Sequence, residues 1–347
     1  MSRSVRVADS LHEEGENIGL HRFALFTACC TALLIFIGGL VTSTESGLSV
    51  PDWPTTYGWN MFAFPVSKWV GGIFYEHSHR LAASFVGFLT LILAFWTWVA
   101  EKRQWVRMLA VAALGTVMAQ GILGGLTVML ILPTSVSMAH ACLAQTFFCL
   151  IIAITLFTSP RWKQGLPIAY PSADAVSSIS LPALCATTTA AIYVQLLLGA
   201  LMRHTDSGLA IKDFPLSFGR IIPPFTSSHI AIHFSHRVGA LIVSVMIVWT
   251  FLRVRSAYRK YELLRRPATV MFSLLWLQLT LGASTVWSSK AVLITTAHVA
   301  TGALVLGTSV LLTLRAWTMI PARSAEPSKP SRPSRPAGED ARVPSWQ

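Results

Sequence analysis

Long apolar runs alternate with short polar segments along most of this chain. Eight runs, at roughly 22–42, 79–100, 105–131, 136–158, 180–202, 230–252, 267–287 and 291–317, each approach or exceed the ~20 residues that a helix needs to cross the hydrocarbon layer. The pattern predicts an all-α integral membrane protein with eight transmembrane helices and both termini on one side. The polar segments differ in kind. Those after the first and fifth runs hold Pro, Gly and aromatic residues, SGLSVPDWPTTYG (46–58) and SGLAIKDFPLSFG (207–219), and they are nearly the same segment 161 positions apart.

That pair belongs to a longer duplication. GGLVTSTESG (38–47) aligns with GALMRHTDSG (199–208), EHSHR (76–80) with HFSHR (233–237), QGILGGLTV (120–128) with QLTLGASTV (278–286), and MAHA (138–141) with TAHV (296–299). The order is preserved throughout. Each half contains four spans, so the halves share one orientation in the membrane, as in parallel repeats. The expected organisation is an N-tail (1–21), a first four-helix bundle (22–158), a linker (159–179), a second four-helix bundle (180–317) and a Pro/Ser-rich disordered tail (318–347).

Charge adds direction. Of the 27 Lys and Arg residues, 20 fall in the tails and in the segments after the second, fourth and sixth runs. By the positive-inside rule these face the cytoplasm, and the two duplicated segments face outward across a cell inner membrane. The net charge of +12 does not point to nucleic acid, because the basic residues sit in short clusters between apolar runs. Only 12% of residues are charged, against roughly a quarter in a soluble domain. The N-terminus does not read as a signal peptide, since acidic residues precede a first apolar run too long for one. All five cysteines lie inside apolar runs and form no CxxC motif, which suits packing.

Four histidines carry the candidate chemistry. His79 and His140 lie on the second and fourth spans, and His236 and His298 lie at the matching places on the sixth and eighth. These spans run in the same direction, so all four imidazoles fall within about two turns of the outer ends. A single such histidine is usually an interfacial, hydrogen-bonded residue. Two pairs at one depth suit axial ligands on either side of a flat metallo-macrocycle. Zinc fits less well, because its structural sites want four ligands.

Arg80 and Arg237 follow two of these histidines, placed either to pair with carboxylates of such a group or to snorkel to the interface. Glu76 precedes His79 by three residues where the second half has His233. It is either a solvated carboxylate near a helix start or a group for proton and charge work in the first half alone. The loop aromatics, Trp53 among them, sit at the bilayer interface or cover the sites.

E-x-x-H-R in the second span, H-x-x-H-R in the sixth, and histidines in the fourth and eighth together resemble the haem A synthase family over roughly residues 20–317. The resemblance implies oxidation of the C8 methyl group of haem O to a formyl group, giving haem A for terminal oxidases. It implies haem O as substrate between His79 and His140, haem b as cofactor ligated by His236 and His298, and Glu76 as the essential acidic residue. The implied partners are haem O, membrane lipids, an electron donor or acceptor, haem O synthase and a second copy of the chain. Many members carry a cysteine pair in the first outer loop, in a pattern like CPDWPLC; here VPDWPTT places Val50 and Thr56 there, so no loop thiol is available. A non-enzymatic dihaem b-type cytochrome taking electrons from quinol also uses four paired histidines, without a special demand on Glu76. A transporter fits poorly, because the polar residues cluster near one surface rather than at the midplane.

Overall fold

In the computed structural model the described residues are 2–172 and 179–321, with side chains from residue 18 onward. Residues 173–178 of the expected linker and 322–347 of the expected tail lie outside them. Nine α-helices occur among the described residues: α1 (Ser2–Ser43), α2 (Gly72–Ala100), α3 (Gln104–Met129), α4 (Thr134–Thr158), the short α5 (Pro160–Lys163), α6 (Leu181–His204), α7 (Ser228–Ala257), α8 (Glu262–Trp287) and α9 (Val292–Met319). All but α5 contain a segment long and apolar enough to cross a bilayer, that of α1 being Ile18–Ser43.

Local chemistry sets several boundaries. Ser180 and Ser227 cap α6 and α7, each hydroxyl accepting a backbone N–H of the first turn. Three helices begin earlier than hydropathy suggests. The α1 helix starts at Ser2 and runs through the expected N-tail. The α2 helix starts at Gly72, two turns before 79, so Glu76 and His79 share one continuous helix. The α8 helix starts at Glu262 and carries Pro267 inside it. Pro267 has no N–H to give to the Leu263 carbonyl one turn back. Arg315 of α9 donates to that oxygen instead, at 2.9 Å, so the helix passes the proline with the carbonyl satisfied.

Helices α1–α4 pack as one closed set and α6–α9 as another. The sets meet where α1 runs along α9, α4 along α6, and α4 along α9. Small residues allow this approach: α1 Gly39 lies against Thr296, and α9 Gly307 against the Phe148 ring. Tyr193 of α6 shares a hydroxyl hydrogen bond with Thr146 of α4, at 2.9 Å. Half-buried Arg203 of α6 donates to the Gly39 carbonyl and the Ser43 hydroxyl of α1, at 2.9 and 2.8 Å.

Each set has its own apolar core, centred on Leu93, Phe147 and Ile151 in the first and on Ile247, Leu264 and Leu306 in the second. Both cores lie toward the helix ends remote from the loops 44–71 and 205–227. The four histidines occupy the opposite ends, beneath those loops. The basic side is pinned by Glu101, whose carboxylate meets Arg103 at 2.8 Å and Lys163 at 3.2 Å. Burial works against ionisation of Glu101, but the bonds and charge of Arg103, with Lys163 beyond, bring its pKa down to about 2. The five cysteines are all free thiols.

Candidate functional site

The duplicated loops fold in the same way. In each, an aspartate carboxylate gathers the backbone of a tight turn: Asp52 accepts from Tyr57 and Gly58 N–H at 2.7 and 2.8 Å, and Asp213 from Phe218 and Gly219 N–H at 2.8 and 2.9 Å. Both residues of each turn have positive φ (Tyr57 50°, Gly58 76°, Phe218 56°, Gly219 71°). The flanking bridges are Thr56 with Trp59 and Ser217 with Arg220. This is the two-residue turn of type I′, whose second place suits glycine. The bonds from Gly219 and Phe218 hold the Asp213 carboxyl below its ordinary value of 3.8.

A depressed folded-state pKa means that this contribution is present above the ordinary value and lost as pH falls through the lower one. Amide exchange at Phe218 and Gly219, corrected for intrinsic rate, should therefore accelerate below pH 3.8 and not between pH 5 and 8. Asp213→Asn should show the faster exchange at all pH values.

Both arginines serve these loops. Arg80 donates to the carbonyls of Val50, Asp52 and Thr55 at 2.8, 2.7 and 3.0 Å. Arg237 donates to the matching three, Ile211, Asp213 and Leu216, at 3.2, 2.8 and 2.9 Å. The guanidinium groups are thus turned into the chain's own loops, and Arg80 also reaches the Glu76 carboxylate.

Glu76 lies under the first loop with its side chain only 4% exposed. One oxygen accepts the Val50 N–H at 2.8 Å, and the other pairs with Arg80 at 2.7 Å. The second half repeats the first of these bonds with a different atom: Ile211 N–H faces Nδ1 of His233 at 3.3 Å. Trp53 is 40% exposed and lies on Gly125 of α3, where a Cβ would come within 2.5 Å of the indole.

The four histidines share one feature that the hydropathy pattern conceals. Each imidazole edge rests on a glycine of the helix before it. A Cβ on Gly38, Gly199 or Gly282 would lie 3.0, 3.1 or 3.0 Å from Cε1 of His79, His236 or His298; at Gly124 the distance to His140 is 3.4 Å. Glutamines sit beside them: Gln120 donates to the His140 carbonyl at 2.8 Å, Gln195 to the His236 carbonyl at 2.8 Å, and Gln278 places its amide nitrogen 3.4 Å from His298 Nε2. All four glycines and the pair Gln120 and Gln278 fall within the duplicated blocks, so their repetition was a readable signal. Gln195 has no counterpart and gave none.

His79 and His140 lie within electrostatic range of each other, as do His236 and His298. Each half thus offers two imidazoles on similarly directed helices, α2 with α4 and α7 with α9, that stand diagonally across its four-helix set. Among the described residues no group of three or more His, Cys, Asp or Glu is placed to hold a bare metal ion. A two-imidazole site fits a metal that brings its own equatorial ligands, as haem iron does. The buried Nδ1 atoms of His79 and His140 lack hydrogen-bond partners, and the glycine notches keep space against each ring.

These features define an all-α, multi-pass membrane protein of two like halves, each with a paired-histidine site under a clamped loop. The chain belongs to the COX15-CtaA family of cytochrome oxidase assembly proteins, whose family model matches residues 21–310. It is 27% identical over 280 residues to the heme A synthase of Shouchella clausii, covering 79% of this chain and 89% of that one. It is 30% identical over 247 residues to the heme A synthase of Halalkalibacterium halodurans (68% and 78%). The heme A synthase of Nitrosomonas eutropha is 26% identical over 333 residues (83% and 91%).

Proposed function

We propose that this chain is a heme A synthase, an oxidoreductase that converts the C8 methyl group of haem O to a formyl group. The observation that carries the reading is the repeated site, two imidazoles per half at one depth, in a chain whose relatives bear that name. His79 and His140 would hold haem O, and His236 and His298 a resident haem b, which when bound supplies one-electron chemistry. Glu76, one turn before His79, would take a proton or stabilise positive charge during methyl oxidation. Arg80 and Arg237 hold the loops over the two sites, and Trp53 closes the first loop onto α3. The charge bias supports loops on the outer side and both termini in the cytoplasm, and the reading adds a cell inner membrane.

The test is expression in a strain that makes haem O but no haem A, followed by chromatography of extracted haems. Haem A should appear. Unchanged haem O, under conditions where a known heme A synthase is active, would end the enzyme reading. The dihaem cytochrome keeps one argument of its own, since both oxygens of Glu76 are engaged with Val50 and Arg80.

The glycine notches give a graded prediction. Gly38→Ala, Gly199→Ala and Gly282→Ala should each displace an imidazole and weaken haem retention about tenfold, a scale typical of disturbed ligand orientation. Gly124→Ala, where the added carbon meets only ordinary contact, should change retention less than twofold. Spectrophotometric titration of the purified variants with haem measures both.

A further inference from the structure

The two halves treat the outer nitrogens of their histidines differently. In the second half, His236 Nδ1 lies 3.0 Å from the Gln195 amide, and His298 Nδ1 lies 3.2 Å from the Gln278 backbone oxygen. In the first half, the buried Nδ1 atoms of His79 and His140 have no partner.

For His236 the difference traces to two positions. Gln195 stands one turn before Gly199, and the residue one turn before the matching Gly38 is Leu34. Across the interface, α7 presents Gly239 to the Gln195 amide. A Cβ on Gly239 would fall 2.1 Å from Gln195 Oε1, so any larger residue there must push the amide aside. The matching residue of α2 is Ala82. The second half therefore pairs glutamine with a glycine notch, and the first pairs leucine with alanine.

Gln195 Oε1 is itself buried without a partner, which calls for an explanation in a folded chain. A histidine bound to metal through Nε2 carries its remaining proton on Nδ1, and an acceptor there fixes the ring and strengthens the ligand. The amide nitrogen now faces Nδ1 and the His236 carbonyl together, so the amide must swing away from that carbonyl for Oε1 to accept the Nδ1 proton.

We infer that Gln195, seated by Gly239, is the positioning residue that makes the second site a permanent haem site, while Leu34 and Ala82 leave the first a site of exchange. This rests on the assignment of haem to both halves. It explains how two sites with the same four-residue outline can hold a resident group and a substrate that must leave.

The experiment uses the full chain carrying His79→Ala and His140→Ala, loaded with haem b, so that the second site is followed alone. Transfer of haem to excess apomyoglobin gives the dissociation rate, and a redox titration gives the midpoint potential. Gln195→Leu and Gly239→Ala should each speed dissociation by about 10- to 100-fold and raise the potential, since loss of the acceptor weakens stabilisation of ferric iron. Gly239→Ala adds one methyl group and guards against a folding failure of the other variant. In the converse background, His236→Ala with His298→Ala, the pair Leu34→Gln and Ala82→Gly should slow dissociation of haem from the first site about tenfold. Rates within twofold of the parent and unchanged potentials for both Gln195→Leu and Gly239→Ala would overturn the inference. A second site that takes up no haem at all would overturn the assignment of the resident haem instead.

Discussion

If the second site holds haem b as proposed, His236→Ala and His298→Ala should each strip the chain of it, whereas His79→Ala and His140→Ala should leave that haem in place and abolish haem A formation. Losing a residue that merely orients a metal ligand costs 10- to 100-fold in affinity, so loss of a ligand itself should exceed about 100-fold. The effect should be large for a second reason. Each imidazole fills the space over a glycine, and alanine opposite glycine leaves nothing that can close the gap. The measurement is haem content by absorbance and product by chromatography, on the same preparations. Full haem b occupancy in His236→Ala, with normal product, would remove the basis for dividing the halves into resident and substrate sites.

Glu76→Ala should lower product by roughly 10²- to 10⁴-fold, the range for loss of a group that moves a proton, while leaving the resident haem spectrum intact. The buried ion pair with Arg80 makes the variant ambiguous alone. Removing one partner of such a pair is destabilising by up to about 3–5 kcal/mol, and the first loop would loosen. Glu76→His settles the point, because it copies the second half, where His233 accepts the loop N–H. With Glu76→His, loop protection in amide exchange should return and product should not. Recovery of product would make Glu76 a loop latch. Unchanged electron transfer with no product ever formed, in wild type as in variant, would favour the dihaem cytochrome.

Much of this architecture was written in the sequence at two scales. Eight apolar runs needed only hydropathy, because a bilayer imposes one length on every span. The four histidines needed the repeat, since any of them alone is an unremarkable polar residue near a helix end. Other features were not legible. The starts of α2 and α8 were missed because GIFYEHS and ELLRRP are too polar or too proline-bearing to read as span, although cross-helix bonds such as Arg315 to Leu263 accommodate them. The loop contacts of the arginines were hidden for a different reason. A rim guanidinium has two obvious fates, water and a carboxylate, and a set of three loop carbonyls becomes a third only once the loop has turned on Asp52 or Asp213. The glycine notches were repeated in the aligned blocks, but a glycine in an apolar helix signals close approach without naming the partner. Gln195 was least visible, being a departure from the repeat rather than part of it.

The seam between the halves has an evolutionary consequence. Exchange of α1 with α6 and of α4 with α9 turns the α1–α9 contact into the α6–α4 contact and leaves α4–α9 unchanged. That is the pattern of an isologous dimer about a twofold axis, here joined into one polypeptide. A true homodimer must place the same residue at both sites, so it cannot carry Gln195 in one and Leu34 in the other, nor Glu76 opposite His233. Covalent fusion lifts that constraint and lets the two pockets differ residue by residue. The α1–α4 and α6–α9 segments, made as separate chains in one membrane, should still find each other across the same seam.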